Sequence, residues 1–130
     1  MITRDLVMPL LLSACPSFGE PWRECVGQSW YDADLRYVHL GEFAHHLVDL
    51  EKARATSEFA RVFAVVEDHT DGDGYVREAA RSGLLEDIQN IALGDGVDLE
   101  AFLPFLRPES ARWWHKLIAF WKEDRTALRD

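Results

Sequence analysis

YVREAARSGLLEDIQN, running from Tyr75 to Asn90, is the stretch on which the fold turns. Val76, Ala80, Leu84 and Ile88 recur every fourth residue and Ile91 continues the series, the interval that lines one face of an α-helix. Gly83, Glu86, Asp87 and Asn90 stand at i, i+3, i+4 and i+7, which sets a position without a side chain beside three polar groups. The helix is expected to begin near Gly74, after a polar turn from Thr70, and to stop at Gly94-Asp95-Gly96.

The same period extends outward. Leu40, Phe43, Ala44, Leu47 and Leu50 mark a helix ending near Arg54, and Phe59, Val62, Phe63 and Val66 mark another that Thr56 or Ser57 would cap. A short helix is expected over Leu99–Leu106. Pro108 then opens a last one with a wide apolar side of Trp113, Trp114, Leu117, Ile118, Phe120 and Trp121. Towards the amino terminus, Thr3 reads as an N-cap for a helix with Leu6, Val7, Leu10, Leu11 and Ala14 inward, kinked or shortened near Pro9. Pro21 starts a second helix burying Trp22, Cys25, Val26 and Trp30. Leu35 to Leu40 alternates without a clean face and reads as a short extended lead-in. The expected architecture is all-α: one domain over residues 1–130, a single compact bundle of about six or seven helices in orthogonal or solenoid-like packing.

The 130 residues are 48% hydrophobic and 28% charged, the composition of a globular domain rather than a disordered chain. No segment approaches transmembrane length. Leu12-Ser13-Ala14-Cys15 matches the cleavage pattern of a bacterial lipoprotein leader. Its apolar run is short, Pro9 interrupts it and Asp5 sits beside Arg4, so a structural helix and a cytoplasmic location are expected.

Net charge is −9 and unevenly spread. Arg61 to Leu106 holds three basic against ten acidic side chains, a local charge of −7, whereas Arg107 to Asp130 carries +2. Phosphate backbones call for Lys and Arg clusters, so direct nucleic-acid binding is excluded as the central activity, and a basic protein partner fits the field. The candidate partner-binding residues are Glu67, Asp68, Asp71, Asp73, Glu86 and Asp87. The competing possibility is a small ligand-binding protein or enzyme with a polar pocket around Glu67, Gly83, Glu86 and Asn90, where two approaching carboxylates would split their pKa values. The aromatic side of the last helix reads first as core, and as a homo-oligomer surface second.

Other motifs carry less chemistry. Asp71-Gly72-Asp73-Gly74 resembles the start of a calcium loop, yet the closing position falls on Ala80 or Ser82 instead of a glutamate. His45 and His46 are neighbours on a helix and diverge by about a hundred degrees. Cys15 and Cys25 have no CxxC spacing and no zinc-ligand histidine beside them. No catalytic residues, metal or cofactor are therefore expected.

Glu67, Tyr75-Val76-Arg77, Gly83 to Asn90, Phe105-Leu106-Arg107-Pro108-Glu109-Ser110 and Trp113-Trp114 together resemble a family of small uncharacterised bacterial proteins. Ala14-Cys15-Pro16-Ser17-Phe18 with Trp22 is also similar, so the likeness spans nearly the whole chain. Members of this type resemble the immunity proteins of bacterial toxin systems. The resemblance implies a stoichiometric binding role against a toxin, with no catalytic residue to carry over.

Overall fold

The computed structural model describes residues 2–28, 31–32 and 36–121. Over these the chain is an all-α bundle: α1 (Val7–Ala14), α2 (Gly19–Val26), α3 (Arg36–Lys52), α4 (Phe59–Thr70), α5 (Gly74–Glu78), α6 (Glu86–Gly94) and α7 (Pro108–Trp121). Single 3₁₀ turns at Arg4–Leu6 and Pro16–Phe18 precede α1 and α2, and a longer one at Leu99–Phe105 leads to α7. Between α5 and α6 the helix continues without a break as a π segment, Ala79–Leu85.

That π segment is the main departure from the expected period. The amide of Glu86 donates to the carbonyl of Arg81, five residues back, so the inward face slips by one position. Val76, Ala80, Leu84 and Ile88 are buried as the spacing predicts, and Leu85, Gln89 and Ala92 join them while Ile91 is only half-buried. Small residues make the wide turn possible. A Cβ on Gly83 would stand 3.1 Å from Tyr37 Cε1 and 3.3 Å from Leu40 Cδ1, so this glycine admits α3 at close range.

Contacts along their lengths set α3 and α6 side by side in the same direction. Gly83 meets Tyr37 and Leu40, Asp87 lies against Gly41, and Lys52 Nζ reaches Asp95 at 3.4 Å. The chain returns between them through α4, which also packs on α1, α5 and α7. Leu40, Phe43, Ala44 and Leu47 of α3 and Phe59, Val62, Phe63 and Val66 of α4 are all buried, as expected. Phe102 stacks on Phe59 at 6.0 Å and meets Trp114 at 5.7 Å, tying the long 3₁₀ turn and α7 to α4. Such aromatic pairs add about 0.5–1.5 kcal/mol beyond their area.

Several local expectations are corrected. Arg36 to Leu40 is helical, not extended, because His39 and Leu40 turn inward while Tyr37 and Val38 stay exposed, which is helical and not alternating burial. Leu35 lies outside the described residues, as does Trp30. In α2 only Cys25 is buried; Trp22 is half-buried and Val26 exposed. Neither Thr56 nor Ser57 caps α4, whose first residue follows Glu58, and Pro9 falls in the first turn of α1 where its missing N–H costs nothing. Val7, Leu11 and Ala14 of α1 are core residues, and the aromatic side of α7 is spent mainly on the core through Trp113, Trp114 and Leu117.

Helix ends use backbone hydrogen bonding. After α6 the amide of Val97 donates to Ala92 and that of Gly96 to Leu93, with Gly96 at φ +72°. After α3 the same arrangement recurs, with Ala55 donating to Leu50 and Arg54 to Glu51, but the left-handed position is Arg54 at φ 58°. A side chain there costs about 1 kcal/mol relative to glycine. Arg54→Gly should therefore raise stability by about 1 kcal/mol in urea titration, and an unchanged or lower midpoint would show that Arg54 makes up the difference elsewhere.

Candidate functional site

The acidic residues divide into those that hold the fold and those that do not. Glu67, on the last turn of α4, accepts the amides of Glu109 and Ser110 at 2.9 and 2.8 Å, capping α7 from outside that helix. Asp73 accepts the amide of Val76 at 2.9 Å as the N-cap of α5, which is why the Asp-Gly run is a helix-connecting turn. Asp98 does the same for Glu100 at the 3₁₀ turn, and Asp95 pairs with Lys52.

Asp68 and Asp71 remain exposed. With Glu67, Glu109, Ile2 and Thr70 they line an open groove of about 460 Å³, and no Lys or Arg is among these lining residues. Glu109 is partly neutralised by Arg112 at 3.1 Å. On the seam between α6 and α3, Glu86 and Asp87 are half-buried. Burial pushes the Glu86 carboxyl up from its ordinary range. Burial, then the Glu86 charge, push Asp87 up as well, with His45 opposing. Among the described residues neither is paired with a lysine or arginine. These two carboxylates are held charged at a cost.

The expected pocket around Glu67, Gly83, Glu86 and Asn90 is not assembled. Glu67 is turned to α7, Tyr37 and Leu40 fill the space over Gly83, and Asn90 is exposed. Gln89, beside Asn90, is instead the buried polar residue. Its amide nitrogen donates to the Trp114 carbonyl at 2.9 Å and its oxygen accepts from Trp121 Nε1 at 3.0 Å, pinning α6 to α7.

One polar cluster was invisible to local reading, because its members stand 29 and 41 positions apart. Ser17, at the turn between α1 and α2, donates its hydroxyl to Glu58 and also gives Glu58 its amide at 3.0 Å; Ser17 Oγ lies 2.8 Å from His46 Nε2. The Cys15 thiol reaches Glu58 at 3.6 Å. Serine, histidine and a carboxylate suggest a nucleophile, but the order is wrong. A triad puts histidine between serine and carboxylate, so that histidine takes the serine proton. Here the serine proton goes to Glu58, and His46 must donate through Nε2–H.

The titration directions agree. Burial would raise Glu58, but hydrogen bonds from the Ser17 hydroxyl, the Ser17 amide and Cys15, with the nearby His46 charge, hold it below its ordinary 4.5, a poor base. Burial lowers His46 against the pull of Glu58 and Asp49. Burial above all, with the Glu58 charge, pushes the Cys15 thiol up to about 11, so it is not a reactive thiolate. The cluster clamps the α1–α2 turn to the start of α4. Cys15 and Cys25 are free, and among the described residues no three His, Cys, Asp or Glu side chains converge as metal ligands.

Two substitutions separate the structural acid from the strained one. Glu67→Ala should cost about 1–2 kcal/mol by leaving the first amides of α7 without an acceptor, measured by urea unfolding. Asp87→Asn should do the reverse. Because the folded pKa of Asp87 is raised above its ordinary 3.8, the penalty is present at neutral pH and fades as pH falls through the folded value. The variant should melt higher than wild type at pH 7, and the gap should close towards pH 3.8; a gap that widened on acidification would contradict the assignment.

No curated protein matches the chain, and no solved structure does. A family model described as a domain of unknown function, DUF7674, matches residues 8–122, from the first turn of α1 to just past the end of α7. The chain belongs to the DUF7674 family.

Proposed function

We propose that this protein is a non-catalytic acidic binding protein, acting in the cytoplasm, that occludes a basic protein partner in the manner of a toxin-system immunity protein. The observation that supports the reading best is the pair Glu86 and Asp87, kept half-buried, with raised pKa values and no Lys or Arg partner among the described residues. A fold that needed only solubility would leave such groups in water, where they cost nothing. A cation from a partner, placed over that seam, would offset both the mutual repulsion and the lost hydration. The exposed Asp68 and Asp71 extend the negative field on the groove at the end of α4. The toxin as partner rests on the resemblance, and the basic character of the partner rests on the charges.

The alternative of a small-ligand protein or enzyme built on Glu67, Gly83, Glu86 and Asn90 is weaker, because Tyr37 and Leu40 occupy the space over Gly83.

Two baits test the proposal: wild type, and a variant with Asp68, Asp71 and Asp87 each changed to lysine. They are compared in pull-downs from the native host at low and moderate salt. Wild type should retain a basic polypeptide in stoichiometric amount, and the variant should lose it while keeping its helical circular dichroism. With the purified partner, the reversal should slow association by about tenfold or more, and added salt should slow wild type in the same direction. A capture profile identical for the two baits, or partners with no positive charge, would overturn the electrostatic reading.

A further inference from the structure

A second feature also involves the amino-terminal residues. Ile2 lines the groove, whereas Arg4 and Asp5 line a half-open cleft of about 260 Å³ between that turn, α2, α3 and α5. Four of its walls are rings: Trp22, Tyr31, His39 and Tyr75. They are mutually arranged. Tyr31 stacks on His39 at 5.2 Å and 12°, Trp22 meets His39 edge-on at 5.2 Å and 84°, and Trp22 meets Tyr31 edge-on at 6.2 Å. Aliphatic side chains complete the lining.

We propose that this cleft binds a compact organic cation, an ammonium group carrying methyl or other small alkyl substituents. Three observations converge on that chemistry. Indole and phenol rings set at a steep angle line one space, and the electron-rich faces of such rings are what receives quaternary ammonium groups. The chain already uses one of these rings for a cation, since the Arg4 guanidinium stands 5.6 Å from the Tyr75 centroid. The cleft also belongs to a protein of charge −9, so the overall field favours cations over anions. The volume is below the roughly 300–1,000 Å³ of drug-sized sites, which suits a small head group. This inference shares the acidic field with the proposed function but concerns other residues and a small ligand in place of a basic protein, so either can fail without the other.

The test titrates the full chain with choline, with its neutral carbon analogue 3,3-dimethylbutan-1-ol, with benzoate, and with N-acetyl-trimethyllysine amide, following the tryptophan indole N–H resonances. Choline or the trimethyllysine derivative should shift the Trp22 resonance saturably, and the neutral analogue should bind about tenfold more weakly. Which of the two cations binds tighter distinguishes a free small molecule from a modified side chain. Trp22→Leu, which removes that reporter, should abolish choline binding measured by calorimetry. Tyr31→Leu, at a residue outside the main core, should weaken binding about tenfold with the fold intact. Equal binding of choline and its neutral analogue, tighter binding of benzoate, or no saturable shift with either cation would overturn the proposal.

Discussion

The bundle depends on how α7 is fastened, because that helix closes the core and has no long loop to hold it. Glu67 accepts two of its first amides, and Gln89 bonds to the Trp114 carbonyl at its middle and to the Trp121 indole at its last residue. The two fastenings act at different places along the helix, so together they set its register against α4 and α6. Trp114 and Phe102 meet there at 5.7 Å. A hydrogen bond contributes about 0.5–1.5 kcal/mol net, or about 1.5–3 to a charged group such as the Glu67 carboxylate, and its directionality supplies what apolar contact lacks.

The acid that holds α7 also shows why counting charges overstates a surface. Of the carboxylates in the central block, Glu67, Asp73 and Asp98 are consumed by helix ends, and Asp95 by Lys52. Acidic side chains at helix amino termini are placed there by the dipole and the unsatisfied amides, irrespective of any partner. What is left is narrower: Asp68 and Asp71 on the groove, Glu78 and Glu100 exposed elsewhere, with Glu78 taking the Ser82 hydroxyl, and Glu86 and Asp87 half-buried on the seam with α3. The last two are the ones whose burial disfavours their charged form.

The fold class was legible because apolar spacing at three and four residues is local information, and the inward residues of α3 and α4 follow it closely. The slip after Gly83 was not legible. A π turn depends on how close α3 can come, a matter of Tyr37 and Leu40 and not of the helix itself. Leu35 to Leu40 misled because Tyr37 and Val38 are large apolar residues left exposed, which blurs the period. Of the candidate site, Glu86 and Asp87 were found by spacing, and Asp68 and Asp71 by charge density. The Ser17, His46 and Glu58 cluster carries no signal at any short separation; only the neighbouring Cys15-Pro16-Ser17-Phe18 drew notice, through resemblance. The four rings of the aromatic cleft come from α2, the segment at Tyr31, α3 and α5, and they have no sequence signature at all.

The titratable groups pull stability in opposite directions as pH falls, and the order follows from their placement. His46 and His69 are lowered chiefly by burial, so the unfolded chain takes up their protons first and stability declines below their ordinary value of 6.5. Glu86 and Asp87 are raised, so the folded chain takes up their protons first, and stability is recovered as pH falls through their folded values towards 4.5 and 3.8. Glu58 is lowered, and its contribution is lost only below 4.5. The seam with α3 thus relaxes in mild acid, before the Glu58 clamp opens. A cation placed over the seam, as proposed, would act on the same two groups as a proton does, so protonation and partner binding would compete for Glu86 and Asp87, each weakening the other by linkage.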